Sequence, residues 1–279
     1  MVKFSILVVC LNPGEKLLKT VESILGQTCG DYEIIVKDGG SADGSIEKLP
    51  EDARIRVFRE KDKGIYDAMN QAVGRAAGEY IYFLNCGDVF YDKDVLLRVK
   101  KQMEKKAGTG EPAGGSGTEG SRNRARYIFY GDIHEHLTKE RVVSNPSMDA
   151  FGCYRNVPCH QACFYGAALM REKGFDIRYK VRADYEHFLW CFFRGHAETV
   201  YMPVVIADYE GGGFSETKEN RKVSAQEHKE IVGNYMSRGQ VWKYRLIMAL
   251  TLSGFRTWLA GNEVTAHAYN WIKGKLYRR

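Results

Sequence analysis

An apolar segment near the start of the chain, Phe4–Cys10, constrains the possible folds more than any other feature of the sequence. It is rich in β-branched residues and does not alternate polar with apolar positions, which is typical of a strand buried on both faces of a parallel sheet. Leu17, Val21 and Ile24 then recur at helical spacing, and a second apolar segment covers residues 32–37. A strand, a helix and a strand joined by short connections predict a βαβ unit, and therefore a parallel sheet.

Further segments continue this α/β pattern along the chain. Apolar residues predict strands over residues 54–58, 80–84, 127–130 and 200–207. Helices are predicted over residues 66–77, where Gly78 ends the pattern, and over residues 167–173. The sequence therefore predicts an α/β fold with a mainly parallel sheet flanked by helices.

Polar clusters follow two of the predicted strands. Asp38 precedes two glycines, and the other cluster is Asn85-Cys86-Gly87-Asp88. Ligands of open α/β sheets bind at the carboxyl ends of the strands, so both clusters are candidate site residues. Asp38 suits hydrogen bonds from a base or a sugar, with an Asx turn as the alternative. Asp88 suits a divalent cation shared with a diphosphate, with a plain turn as the alternative.

Four blocks of the sequence resemble those of the family 2 glycosyltransferases, in the order of that family. They are residues 8–12, 36–45, 62–70 (DKGIYDAMN) and 83–88, and residues 160–161 and 183–186 extend the likeness to about residue 215. The resemblance is closest to bacterial polysaccharide-building members. It implies the GT-A fold, a Rossmann-like mixed sheet, mainly parallel and flanked by helices, here with a C-terminal helical tail. Dinucleotide (GxGxxG) and P-loop motifs are absent.

The resemblance implies a site for a nucleotide-diphosphate sugar in the first hundred residues. Asp38 matches the acid that reads the base, and Lys63 lies where a basic group suits the diphosphate. Asp88 matches the metal-binding acid of the DXD-type motif, for Mg²⁺ or Mn²⁺. The sequence departs from the commonest motif at two positions, which leaves Asp88 as the main protein ligand. The residues implied in donor binding are Leu11, Asn12, Asp38, Lys63, Asn70, Asn85 and Gly87.

Asp184 matches the catalytic base of the family, with Glu186 as the alternative two residues later. An acceptor hydroxyl must lose a proton as it attacks the anomeric carbon, and one carboxylate suffices for that. An acid at this place also has a structural explanation, as a cap at the start of a helix. His160 and Gln161 are implied in holding the acceptor or the diphosphate, although a lone His is commonly a core residue. Ser215 is implied in a loop that closes over the donor.

The domain organisation follows from composition and from the resemblance. Residues 1–107 are expected to form the nucleotide-sugar-binding half of a GT-A domain, and residues 127–239 the acceptor-binding, catalytic half. Between them, residues 108–126 are rich in Gly and Ser, which predicts a flexible surface loop. Residues 240–279 are predicted to be a basic amphipathic helical tail.

The net charge of the chain resides in this tail. The whole chain has 41 Lys and Arg against 35 Asp and Glu, a formal charge of +6. Residues 240–279 contain seven Lys or Arg and one Glu, so they carry the same +6. The apolar runs of the tail are shorter than the roughly 20 residues that span a bilayer. We expect the tail to lie on an anionic membrane surface, with a packing helix that has a solvated basic face as the alternative.

The seven cysteines form no CxxC pair, which indicates reduced thiols of a cytoplasmic protein. A zinc site from Cys153, Cys159, His160 and Cys163 is disfavoured because the spacing matches no standard zinc motif. The apolar N-terminal segment is too short for a signal peptide and has no small-residue cleavage site. We therefore expect a cytoplasmic protein, peripheral on the inner face of the plasma membrane.

The resemblance implies a metal-dependent hexosyltransferase that inverts the anomeric configuration. The expected acceptor is a lipid-linked or oligosaccharide molecule, in the synthesis of a bacterial surface polysaccharide. The alternative is a non-catalytic protein that retains the fold and binds a sugar nucleotide or a membrane, because the DXD motif is reduced. No nucleic-acid motif is present, so nucleic acid is not an expected partner.

Overall fold

The computed structural model describes residues 3–109, 126–211 and 217–251. The chain divides into two units, Met1–Lys229 and Glu230–Arg279. The predicted loop at residues 108–126 lies almost wholly outside the described residues, as does most of the predicted tail. The expected halves at residues 1–107 and 127–239 stay predictions, and both belong largely to the first unit.

Nine strands of the described chain form one sheet. The strands are β1 (Phe4–Cys10), β2 (Tyr32–Asp38), β3 (Ile55–Arg59), β4 (Tyr80–Phe83), β5 (Val89–Phe90), β6 (Tyr127–Glu135), β7 (Glu140–Val142), β8 (Cys163–Gly166) and β9 (Glu198–Tyr209). Their order across the sheet is β3-β2-β1-β4-β8-β6-β9-β5, and β7 pairs with β6. The pairs β3–β2, β2–β1, β1–β4 and β6–β9 are parallel, while β8 runs antiparallel to both of its neighbours.

Helices connect and cover these strands. They are α1 (Glu15–Leu25), α2 (Ile65–Val73), α3 (Val95–Thr109), α4 (Ala150–Arg155), α5 (Ala167–Glu172), α6 (Ala183–Phe193), α7 (Lys218–Tyr235) and α8 (Arg238–Leu250). A 3₁₀ turn, His160–Ala162, precedes β8. This mixed sheet with flanking helices confirms the predicted α/β architecture.

The central strand β1 sets the position of the site. It is buried along nearly its whole length and pairs in register with β2 on one side and β4 on the other, so that Phe4 lies opposite both Tyr32 and Tyr80. Its last residue, Cys10, lies opposite Asp38. Parallel pairing therefore brings the polar clusters that follow β1, β2 and β4 to one edge of the sheet.

The apolar face of α1 packs on this part of the sheet. Leu17, Val21 and Ile24 are fully buried and belong to the same core cluster as Phe4 and Ile34. Each buried aliphatic side chain of this kind contributes about 1.5–3 kcal/mol relative to an exposed one. The 3.6-residue periodicity of the sequence therefore predicts α1 correctly.

The helix predicted over residues 66–77 ends earlier in the structure, at Val73. Glu33 Oε1 accepts hydrogen bonds from the Ser5 hydroxyl and the Ala77 N–H, each at 2.6 Å, and the Gly78 N–H donates to Ser5 Oγ at 2.8 Å. These contacts to β1 and β2 capture backbone donors that a longer helix would use internally. The end of α2 is therefore decided by tertiary contacts.

The described part of the second unit, residues 230–251, comprises the end of α7 and the helix α8. Ser237 and Gln240 form a reciprocal capping box at the start of α8. Trp242, Leu246 and Leu250 recur every four residues and are all exposed, so they form an apolar stripe along α8. None of the helices in the described ranges is long and apolar enough to cross a bilayer.

Gly78→Ala is expected to lower the free energy of unfolding by about 1–3 kcal/mol, because overpacking of a dense region has this cost. A Cβ atom at position 78 would lie 2.6 Å from the backbone nitrogen of Ser5. Urea unfolding monitored by circular dichroism measures the change. Gly30→Ala is the matched control, because a Cβ there meets nothing within 4 Å. Equal unfolding midpoints for the two variants would contradict the close approach of residue 78 to β1.

Candidate active site

A cleft of about 730 Å³ opens along the edge of the sheet where β1 and β4 end. It lies wholly within the first unit, and the start of α6 and the end of β9 also contribute to its wall. Among the predicted site residues, those that line the cleft are Leu11, Asn85, Asp88, His160, Gln161 and Asp184. The structure therefore brings the predicted catalytic and metal-binding acids into one cleft.

The 3₁₀ turn at His160–Ala162 connects these two acids. His160 Nδ1 lies 3.3 Å from Asp184 Oδ2, and Gln161 Nε2 donates to Asp88 Oδ2 at 3.0 Å. The Cys159 thiol donates to Gln161 Oε1 at 2.7 Å, which orients the amide so that its nitrogen faces Asp88. Burial raises the pKa of Cys159 to about 12, so the thiol keeps its proton for this bond.

Asp184 lies at the start of α6 and has several hydrogen-bond donors. The Tyr185 N–H donates to Asp184 Oδ1 at 2.8 Å, and the Tyr66 hydroxyl lies 3.0 Å from the same oxygen. Burial raises the pKa of Asp184, but its contact with His160 and these donors outweigh burial and hold the pKa below the usual range. Asp184 is therefore a carboxylate at neutral pH, as a general base must be.

Asn85 contacts the other side of the His160 ring that contacts Asp184. Its Nδ2 lies 3.2 Å from His160 Nε2. When this amide donates, the neutral imidazole carries its proton on Nδ1 and donates it to Asp184. Asn85, two residues after β4, thus orients the ring that contacts the candidate base.

Asp88 is almost fully buried at the base of the cleft. Its Oδ1 accepts from the Glu210 N–H at 2.9 Å, and its Oδ2 accepts from Gln161. Burial is the main cause that raises the pKa of Asp88, and the nearby Glu210 carboxylate adds to it. A buried carboxylate of this kind is stabilised in its charged form by a cation.

The donor set of the cleft fits a hard divalent cation. The described residues contain no group of three His, Cys, Asp or Glu side chains that could hold a metal ion by itself. Each carboxylate oxygen of Asp88 accepts one hydrogen bond and retains a lone pair. Mg²⁺ is commonly bound through one or two carboxylates together with substrate phosphates and water, which is the set that Asp88 and a diphosphate would provide.

Asp38 is fully buried and does not line the cleft. It accepts from the Ser41 hydroxyl at 2.6 Å and from Arg59 Nε at 2.9 Å. Burial raises the pKa of Asp38, but the hydrogen bonds from Ser41 and Arg59 prevail and lower it. These contacts fit the turn alternative, and recognition of a base by Asp38 stays a prediction.

Asn12 joins the loops that follow β1 and β2. Its N–H donates to Ser41 Oγ at 2.8 Å, and its Oδ1 accepts from the Ala42 N–H at 2.9 Å. Asn12 has a positive φ of 47°, a conformation that Asn tolerates well. Leu11, beside it, is exposed in the cleft.

Four further predicted site residues do not line the cleft. Asn70 donates to and accepts from the backbone of Phe175, and Gly87 N–H donates to Thr20 Oγ1 at 2.9 Å. Lys63 is exposed, and Glu186 is buried in an ion pair with Lys173. The geometry therefore favours Asp184 over Glu186 as the base. Ser215 lies outside the described residues.

The cleft also contains residues that the sequence did not predict, among them Tyr66, Lys16 and Glu210. Tyr66 lies within the DKGIYDAMN block, so its position in that block was an available signal. Lys16 and Glu210 form an ion pair of 2.6 Å although 194 positions separate them. No local pattern predicts such a contact.

The chain is similar to known glycosyltransferases in sequence. The family described as Glycosyl transferase family 2 matches residues 5–160. A PGL/p-HBAD biosynthesis glycosyltransferase of Mycobacterium tuberculosis is 35% identical over 223 residues, which cover 77% of this chain and 79% of the relative.

Solved structures with low sequence identity share the fold. Residues 1–349 of Staphylococcus aureus TarS in complex with UDP-GlcNAc align with a TM-score of 0.58 and 14% identity, covering 92% of this chain and 78% of that one. Against a longer TarS structure, the chain spans 44% of the length. The mannosyltransferase PcManGT from Pyrobaculum calidifontis, in complex with GDP-Man and Mn²⁺, aligns with a TM-score of 0.53 and 14% identity, covering 99% and 88%.

Asp88→Asn is expected to remove a pH-dependent loss of stability, although its amide leaves one buried donor unpaired because both Asp88 oxygens accept hydrogen bonds. The pKa of Asp88 is raised in the folded state, so its stability contribution is full below the unfolded pKa of about 3.9 and is lost as the pH rises. The neutral amide avoids this loss. Thermal unfolding measured upward from about pH 4, near the unfolded pKa, should show the stability of Asp88→Asn relative to the wild type rising with pH until Asp88 is ionised.

Asp38→Asn is the matched control, and its stability relative to the wild type is expected to change with pH in the opposite direction. The lowered pKa of Asp38 stabilises the fold above the unfolded pKa, and this contribution is lost as the pH falls. Like Asp88→Asn, this substitution leaves a buried donor unpaired, at a cost of about 1–3 kcal/mol. The same change of stability with pH in both variants would contradict the opposite pKa shifts of Asp88 and Asp38.

Proposed function

Because the chain belongs to glycosyl transferase family 2, we propose that it transfers a sugar from a nucleotide-diphosphate sugar to an acceptor hydroxyl with inversion. The observation that carries the proposal is the contact of His160 with Asp184 and of Gln161 with Asp88 in one cleft. A candidate base and a candidate ligand for a diphosphate-bound cation are thereby held by adjacent residues. A base for the acceptor and a cation for the leaving diphosphate are what a direct displacement at the anomeric carbon requires.

Asp184 acts as the general base in this proposal. The acceptor O–H bond breaks and its proton passes to Asp184, while the acceptor oxygen forms a bond to the anomeric carbon. The bond between that carbon and the diphosphate oxygen breaks, and the diphosphate leaves with the electron pair. A single displacement from the face opposite the leaving group inverts the anomeric configuration.

Tyr66 stabilises Asp184 in both protonation states. Its hydroxyl has one proton but contacts two acceptors, Asp184 Oδ1 at 3.0 Å and the Val181 carbonyl at 2.8 Å. When Asp184 is a carboxylate, the hydroxyl can donate to it. Once Asp184 has taken the acceptor proton, it can donate to the Tyr66 oxygen while Tyr66 donates to Val181.

The donor is proposed to bind at the carboxyl ends of β1, β2 and β4. Leu11 and Asn12, which follow β1, are proposed to contact the base together with Asp38 at the end of β2, and Asp88 would hold Mg²⁺ or Mn²⁺. A bound cation would neutralise charge on the leaving diphosphate. The UDP-GlcNAc complex of TarS and the GDP-Man and Mn²⁺ complex of PcManGT support this donor class and a divalent metal.

A lipid-linked or oligosaccharide acceptor is proposed for the other side of the cleft. The wall of the cleft is formed in part by the apolar side chains of Ile133, Val142, Val143 and Val157. Val142 and Val143 are exposed, so an acceptor with an apolar part would cover them. The relative named for PGL/p-HBAD biosynthesis supports a role in assembling a bacterial surface glycoconjugate.

Peripheral binding to the inner face of the plasma membrane is part of the proposal. The stripe of Trp242, Leu246 and Leu250 is exposed on α8, which also carries Lys243 and Arg245. Residues 240–279 hold a formal charge equal to that of the whole chain, +6. Apolar and basic residues together are the features by which interfacial helices bind anionic lipid.

Asp184→Asn is expected to lower kcat for sugar transfer by about 10²–10⁴-fold, because the amide cannot accept the acceptor proton. The assay measures release of nucleoside diphosphate from a panel of nucleotide-sugars with Mg²⁺ or Mn²⁺, with and without lipid-linked acceptors. Binding of the donor, measured by calorimetry, should change little.

The control for this test is Asp176→Asn, an acid ion-paired with Arg178 that does not line the cleft. It should retain transfer activity near that of the wild type. Unchanged turnover in Asp184→Asn would rule out the base assignment. A wild type that is inactive with every donor and acceptor, yet binds nucleotide-sugar, would favour the non-catalytic alternative.

Deletion of residues 240–279 is expected to abolish binding to vesicles of phosphatidylglycerol and phosphatidylcholine, because the deletion removes the basic excess. Co-sedimentation measures vesicle binding, and calorimetry with the donor should show unchanged affinity. Lys243→Gln with Arg245→Gln should weaken vesicle binding by a smaller amount, about 1 kcal/mol for each charge removed. Undiminished co-sedimentation of the truncated chain would show that the basic residues form only a solvated face.

A further inference from the structure

Gly87 lies in the cluster that follows β4, at a position where related motifs often have an Asp. A Cβ atom built on Gly87 would lie 2.4 Å from Glu210 Oε2 and 3.3 Å from Glu210 Cδ. The backbone φ of 106° at Gly87 is also one that side-chain-bearing residues rarely adopt. The place where an acidic side chain would begin is therefore occupied by a carboxylate from the end of β9.

Glu210 is joined to Asp88 as well as to Gly87. Its backbone N–H donates to Asp88 Oδ1 at 2.9 Å, and both residues line the cleft. Two carboxylates brought together in this way are stabilised by a cation with oxygen ligands.

Lys16 is the cation that contacts Glu210 in the structure. Its Nζ lies 2.6 Å from Glu210 Oε2, with 56% and 43% of the two side chains exposed. Ion pairs with this exposure contribute about 0–1 kcal/mol to stability. A divalent cation can therefore displace the ammonium group of Lys16 from Glu210 at little cost to the fold.

We propose that Glu210 supplies the second protein carboxylate for the divalent cation at Asp88, replacing the acid that the motif lacks at position 87. Lys16 competes with that cation for Glu210, and once displaced it can pair with an anionic diphosphate in the same cleft. The role of the diphosphate rests on the proposed function, whereas cation binding by Asp88 and Glu210 can be measured without any transfer reaction.

A purely structural role for the Lys16–Glu210 pair predicts a different outcome. If the ion pair only stabilises the local structure, removal of either partner has the same effect on cation binding. If Glu210 binds the cation and Lys16 competes, the two removals have opposite effects. The two partners of one ion pair therefore distinguish the alternatives.

The test measures Mn²⁺ binding to the full chain by electron paramagnetic resonance, first with the metal alone and then with UDP. Glu210→Gln is expected to weaken Mn²⁺ binding by about tenfold or more, and Glu210→Asp to restore part of the affinity. Lys16→Met is expected to tighten binding of Mn²⁺ alone, because it removes the competing ammonium. With UDP present, Lys16→Met should lose part of this gain.

Matched controls come from the Lys3–Glu79 ion pair, which has an N–O distance of 2.8 Å and does not line the cleft. Glu79→Gln and Lys3→Met should leave Mn²⁺ affinity unchanged. Unfolding midpoints measured for every variant identify any that lose binding through misfolding. If Glu210→Gln does not fold, the Mn²⁺ affinity of Glu210→Asp is compared with that of the wild type instead.

Two results would overturn the inference. One is a Glu210→Gln variant that folds and binds Mn²⁺ as tightly as the wild type. The other is a Lys16→Met variant that weakens Mn²⁺ binding as much as Glu210→Gln does. Absence of sugar transfer would count against the proposed function alone, since Mn²⁺ affinity is measured independently of turnover.

Discussion

The carboxylate of Asp88 is bonded from two directions, by the side-chain amide of Gln161 and by the backbone N–H of Glu210. These two hydrogen bonds join the segment after β4 to the 3₁₀ turn and to the end of β9. Because Asp88 is almost fully buried, its charged form requires such donors. The arrangement of the cleft therefore depends on how this one carboxylate is satisfied, and Cys159 contributes by orienting Gln161.

Asp38, the last residue of β2, and Asp88, which follows β4, have opposite electrostatic environments. Asp38 receives enough hydrogen bonds that its pKa falls despite burial, so its charge stabilises the folded chain. Asp88 receives fewer, and its pKa rises. A group whose charge is disfavoured by the fold is typical of a functional site, because a ligand can provide the missing stabilisation. This contrast supports a binding role for Asp88 and, in the described structure, a supporting role for Asp38.

Much of the fold could be predicted, and the failures have identifiable causes. The parallel strands β1, β2 and β4 were predicted because apolar runs and short connections are local properties of the chain. The end of α2 was predicted four residues too late, since Ser5 and Glu33 capture the N–H groups of Ala77 and Gly78. The two-residue strand β5 was missed because it is defined only by its pairing with β9. Donor binding by Asn70 stays a prediction, and no local pattern indicated that its amide bonds to the Phe175 backbone, a contact across 105 positions.

The sequence by itself determined the parallel sheet, the edge at which its polar residues gather, and the motifs that indicate family 2 membership. Each of these depends on residues close together in the chain. Only the tertiary structure decided that His160 and Gln161 contact two different acids. It likewise decided that Glu186 forms an ion pair with Lys173 and that Glu210 lies against Gly87. The backbone of Glu210 also bonds to Asp88, which lies 122 positions away in the chain. Such contacts arise from the packing of whole elements, which no local periodicity or motif spacing encodes.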